Sequence, residues 1–265
     1  MCRVIYTIEG ITNIIQVFVL LIILISCYRL FGGSTVSMSV VFCLFGIFAV
    51  LIVDFYWVAY DLLKPEARMP FAANEFGETA SFLLFASVIT TAFQGKLIRE
   101  ARILMPCIAF VAASTGLWIA WSGEWLEDII TGVSFGYLLC VTVMALRAAD
   151  SFSRREWIAA GSCAALLILC QTFIFFVPEI MKKPIDTFCY VLMFAIMFNL
   201  FVRCIRSIKE AQTGESILAL SFAFCVWVVS TVYMSSGMWY VAALFAETIA
   251  FLLMFVGIRR EVSTE

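Results

Sequence analysis

Nine long apolar runs, separated by short charged connections, leave this chain one kind of fold. They lie at about 11–31, 36–60, 74–94, 102–122, 125–147, 157–177, 186–206, 215–235 and 238–258. Each is long enough to cross the roughly 30 Å of a bilayer's hydrocarbon core as a helix. Hydrophobic residues make up 64% of the chain and charged residues 14%, where soluble domains hold about 45–50% apolar residues. Such a chain lacks the polar surface to dissolve in water. The sequence therefore predicts an all-α, polytopic integral membrane protein: a single transmembrane domain over 1–265 with nine helices, no soluble domain, and the lipid bilayer as its main partner. The first run is too long for the apolar core of a cleaved signal peptide, and no small-residue cleavage site follows it.

Lys and Arg set the orientation. Lys96, Arg99 and Arg102 lie between the third and fourth runs, Arg147, Arg154 and Arg155 between the fifth and sixth, and Arg203, Arg206 and Lys209 between the seventh and eighth. Arg259 and Arg260 follow the ninth, while the connections at 122–124 and 235–237 have no basic residue. The basic connections fall on one side, which is predicted to be cytoplasmic. Nine helices then put the N-terminus outside and the C-terminus inside, in a plasma or cytoplasmic membrane. Leu24-Ile25-Ser26-Cys27 loosely resembles a lipoprotein cleavage site, but this orientation places Cys27 on the wrong face for lipidation. Lys64, Arg68, Lys182 and Lys183 break the rule, and each pair has acids close by in sequence.

A word recurs in three runs: Glu78-Thr79 followed by Phe82-Leu83, Asp186-Thr187 by Tyr190-Val191, and Glu247-Thr248 by Phe251-Leu252. Glu127-Asp128 opens the fifth run at the expected interval but continues poorly. The acids at 78, 128, 186 and 247 are 50, 58 and 61 residues apart. That spacing predicts four helical hairpins of similar length plus one extra helix. An acid near a helix N-terminus also meets the positive end of the dipole, which is reason enough for Glu78, Asp128 and Asp186. Glu247 lies ten residues past Gly237, roughly 15 Å along the axis, about half the hydrocarbon core. A lone carboxylate facing lipid there is untenable, so Glu247 is predicted to face the bundle interior with Asp54 or Glu78 in reach.

The stretch Asp54–Phe85 gathers acids, aromatics and two prolines between apolar runs. Asp54, Trp57 and Asp61 share one helical stripe, and Glu75 and Glu78 share another. A hairpin would bring them together near the outer surface. Trp118, Trp121, Trp125, Tyr233, Trp239 and Tyr240 belong to outer helix ends, where aromatics also favour the lipid interface. The candidate ligand-binding set is thus Asp54, Trp57, Asp61, Glu75, Glu78, Trp121, Asp128, Asp186 and Glu247, an acidic and aromatic pocket suited to a small molecule or cation.

The chain has no histidine, which removes haem ligation by His, His-based metalloproteases and His-dependent acyl transfer. Its ten cysteines show no C-x-x-C spacing and read as packing residues. No phosphate loop, dinucleotide fingerprint, metal-ligand spacing or nucleophile elbow occurs. Gln171, Thr172 and Asn199 read as inter-helix hydrogen-bonding groups. No catalytic residue, metal or cofactor is expected, and the net charge of −2 implies no nucleic acid. Two functions follow from this: a transporter or receptor-like protein binding a small solute through an outward pocket, or a non-catalytic membrane subunit or sensor module that docks a partner protein.

Overall fold

The computed structural model describes residues 2–30, 37–63 and 73–262, with side chains over 8–30, 37–59 and 74–262. The described residues are helical almost throughout and include no strand. In order the elements are α1 (Cys2–Leu30), α2 (Met38–Leu63), α3 (Ala73–Phe93), the short α4 (Lys96–Arg99) with a 3-10 turn (Ala101–Ile103), α5 (Leu104–Ser122), α6 (Trp125–Ala148), α7 (Arg154–Ile174), α8 (Glu179–Lys209), α9 (Gly214–Met234) and α10 (Met238–Val262). Among the described residues nine helices are long and apolar enough to cross a membrane, one for each apolar run.

Local chemistry sets their ends. Gly123 takes φ +78°, a conformation that a Cβ disfavours, and its N–H closes α5 onto the Ile119 carbonyl at 2.9 Å. α7 starts three residues earlier than its apolar run, because Ser153 and Glu156 form a reciprocal cap: Ser153 N–H donates to Glu156 Oε2 at 2.7 Å, and Glu156 N–H to Ser153 Oγ at 3.4 Å. α8 begins at Glu179, not 186, and runs through Pro184. So near a helix start the missing N–H forfeits a single bond, to the carbonyl four residues back. Lys182 consequently lies on a helix, where Nζ meets Glu179 Oε1 at 2.5 Å. Lys64 and Arg68 lie outside the described residues.

The helices pack as two rings. α1, α2, α3, α6, α9 and α10 each touch the next and close on α1; α5, α7 and α8 complete a second ring with α6 and α9 as the shared wall. Four of the contacts are the hairpins α2–α3, α5–α6, α7–α8 and α9–α10, with α1 as the additional helix on α2 and α10. The first ring holds the main core, including Phe93, Phe222, Ile47, Ile89, Met254 and Ile258, all under 2% exposed. Cys27 and Cys43, both fully buried, face each other across α1 and α2 with sulfurs 3.9 Å apart, as packing residues do.

The connections sort by charge. Lys96 Nζ reaches Glu215 Oε1 at 2.5 Å, Arg147 Nε reaches Glu100 Oε2 at 3.3 Å, and the Ser151 and Ser216 hydroxyls meet at 3.5 Å. These contacts join the three basic connections at one end of the bundle. The tips at 122–124 and 235–237 sit at the other end, where the Tyr190 hydroxyl meets Ser236 Oγ at 3.3 Å.

Candidate functional site

A cavity of ≈ 1320 Å³ opens at the end that carries the two tips. Its wall runs from Ser122, Glu124 and Ser235 down to Phe85, Leu138 and Phe251 in mid-bundle. Both rings contribute, with α9 supplying residues from Cys225 to Met234 along the shared wall. Helix geometry explains how the acids come to share this space. Asp54 lies nine residues before the end of α2 and Glu247 nine residues after the start of α10. Because the two helices have these ends on the same side, both carboxylates sit at a similar depth.

Asp54 is 8% exposed, and its Oδ2 has no hydrogen-bond partner among the described residues. The carboxylates of Glu247 and Glu78 lie close enough to act on it electrostatically. Glu247 Oε2 accepts from Gln16 Nε2 at 3.4 Å, and Gln16 Oε1 in turn accepts from Thr248 Oγ1 at 3.2 Å. The acid-Thr pair of α10 thus works through α1: Thr248 orients a buried glutamine that donates to the neighbouring Glu247. Glu78 Oε2 accepts from the Tyr233 hydroxyl of α9, and Asp128 Oδ2 from the Ser122 hydroxyl. Glu124 N–H also donates to Ser122 Oγ, at 3.0 Å. No lysine or arginine is among the described residues of the wall.

Aromatic side chains bridge the mouth and the interior. Trp121 and Trp118 lie 5.2 Å apart by ring centres, and Trp118 meets Tyr233 edge-on at 6.4 Å. Tyr233 meets Phe82 at 6.5 Å, and Phe82 meets Phe135 at 5.2 Å. The quadrupoles of such rings favour both edge-to-face contact and a cation over a ring face.

Of the expected ligand-binding residues, Asp54, Trp57, Glu78, Trp121, Asp128 and Glu247 line the cavity. Glu75 is buried outside the cavity wall, with Asn74 Nδ2 donating to its Oε1 at 2.9 Å. Asp186 is half-buried on α8, which gives the wall only Met193. The Asp61 side chain lies outside the described residues. Sequence reasoning passed over Gln16, 1% exposed, although an amide within an apolar run is the kind of signal that singled out Gln171 and Asn199. Glu9 and Glu127 also line the wall. Among the described residues no group of three or more acids, cysteines or histidines could hold a metal ion. No family model, curated protein or solved structure matches this chain, so its geometry carries the functional reading.

Proposed function

We propose that the protein binds a small cationic solute in this cavity, as a transporter or receptor-like protein of the cytoplasmic membrane, with the mouth outside. One observation carries the reading: Asp54 is a buried carboxylate with one oxygen that has no hydrogen-bond partner among the described residues, in a wall without a described basic residue. A buried acid left unpaired is costly, and a cation in the cavity supplies the missing partner. The gathering of the basic connections at the opposite end supports a cytoplasmic position for that end. The hairpin arrangement supports the repeat, and Glu78, Asp128, Asp186 and Glu247 all lie in the N-terminal halves of their helices.

A second reading, a membrane subunit that docks a partner protein, draws on α5 and α7. In their most apolar stretches 6% of residues are buried. Lipid covers such faces equally well, so this reading carries less weight.

Two measurements test the proposal together. Titration calorimetry of the detergent-solubilised chain with hexylamine should show saturable binding that Asp54→Asn weakens at least about tenfold, the equivalent of ~1.4 kcal/mol. In intact cells, Glu124→Cys in a cysteine-free background should react with an impermeant maleimide and Lys96→Cys should not. Absence of binding would remove the function, and the reverse labelling pattern would invert the orientation.

A further inference from the structure

We infer that the cavity is built for a linear diamine or polyamine, with two ammonium subsites along an aromatic wall. This rests on the cation-binding reading above and names the ligand class. Three wall acids mark two depths, with Glu78, five residues into α3, between them. Asp54 and Glu247 lie nine residues from their helix ends, while Asp128 lies three residues into α6. At 1.5 Å per residue the six-residue difference sets the levels about 9 Å apart, the reach of an extended diamine with roughly five or six methylene groups.

Each level has acceptors suited to an ammonium group. At the inner level are Asp54 Oδ2, without a hydrogen-bond partner among the described residues, and the Glu247 carboxylate, which is held by the neutral donor Gln16. At the outer level, Asp128, itself 6% exposed, is held by the neutral donor Ser122. An ammonium offers three donors and no acceptor, so it matches carboxylates whose protein partners are neutral.

The wall beside these levels carries the aromatic chain of Trp118, four residues before the end of α5, Tyr233, next to the last residue of α9, and Phe82, nine residues into α3. Methylene groups bury well against such rings, and the rings' faces attract the cationic ends. No group of three or more acids, cysteines or histidines among the described residues could hold a metal ion, so the carboxylates suit an organic ammonium better than a multiply coordinated metal.

The test is a ligand series on the unmodified full chain in detergent, by titration calorimetry. The probes are diaminopropane, diaminohexane, diaminododecane and hexylamine. Diaminohexane should bind at least about tenfold more tightly than hexylamine and more tightly than the shorter and longer diamines. Asp128→Asn should weaken diaminohexane at least about tenfold more than it weakens hexylamine; Asp54→Asn should weaken both. If hexylamine bound as tightly as diaminohexane, the two-subsite inference would fall while cation binding stood. If no amine bound, both would fall. The series on the unmodified chain decides this even where a variant fails to fold.

Discussion

α9 and α7 are each 21 residues long and apolar enough to cross a membrane, yet their surroundings are opposite. In the most apolar stretch of α9, 72% of residues are buried, against 6% in α7. Lipid tails are as apolar as leucine, so hydropathy reports that a helix crosses and is silent on what it touches. Shape separates the two. A Cβ on Gly257 of α10 would lie 2.4 Å from Ser221 Oγ and 3.1 Å from the Leu218 Cα of α9, whereas one on Gly161 of α7 would meet nothing within 4 Å. α9 is clasped by a partner whose backbone comes close, and α7 presents most of its surface outward.

The largest expected effect follows from that contrast. Gly257→Leu should destabilise the solubilised protein by roughly 1–3 kcal/mol, the usual cost of forcing volume into a packed interior. Gly161→Leu should stay within about 0.5 kcal/mol, as surface changes do. Thermal unfolding in detergent measures both. A costly Gly161→Leu would show that α7 packs against another chain, and the contrast between the helices would collapse.

Sequence reading reached the nine long apolar helices of the described residues because run length survives without tertiary information. It set Glu247 toward the bundle interior with Asp54 or Glu78 in reach because an acid deep in an apolar run is costly anywhere else, whereas Asp128 was read as an acid at a helix start. Glu75 and Asp186, grouped with these acids by helical face and by the repeated word, lie outside the cavity wall. Helical periodicity fixes the angle between residues on one helix but leaves open how each helix is turned against its neighbours. The start of α7 was legible in Ser153-x-x-Glu156, a capping pattern that a search for apolar runs overlooks. The start of α8 was hidden by Pro184, which reads as a breaker until its position inside the helix is known.

A smaller effect tests how the sparse region is attached to the dense one. Leu167, Cys189 and Met193 form a satellite cluster between α7 and α8, and Trp227 of α9 packs against both this cluster and the main core. Its indole N–H donates to the Met193 carbonyl at 2.9 Å. Trp227→Phe keeps a ring and removes the donor, so it should cost about 0.6–1 kcal/mol, the scale of inter-helix hydrogen bonds in membrane proteins. A neutral result in equilibrium unfolding would show that packing alone holds α8 to α9.

The smallest effects lie in the ion pairs, and they too differ between the regions. Lys96 and Glu215 are 54% and 34% exposed and join segments that the dense core already fixes. Solvent and salt screen such a pair, so a double-mutant cycle with alanine should give a few tenths of a kcal/mol, less still at high salt. Arg203 and Glu156 link α8 to α7, where little core exists to do so. Arg203 donates to Glu156 Oε1 and, at 3.0 Å, to Asn199 Oδ1, and lies 4.8 Å from the Phe152 ring centre. Glu156 also holds the cap of α7. At 29% and 37% exposure this pair is still partly screened, but its side chains are held by other contacts and lose less freedom on pairing. Its coupling should therefore exceed that of Lys96–Glu215 and reach about 1 kcal/mol. If the two cycles came out equal, the α7–α8 hairpin would not depend on its polar end, and the seam at Trp227 would be left as its main attachment.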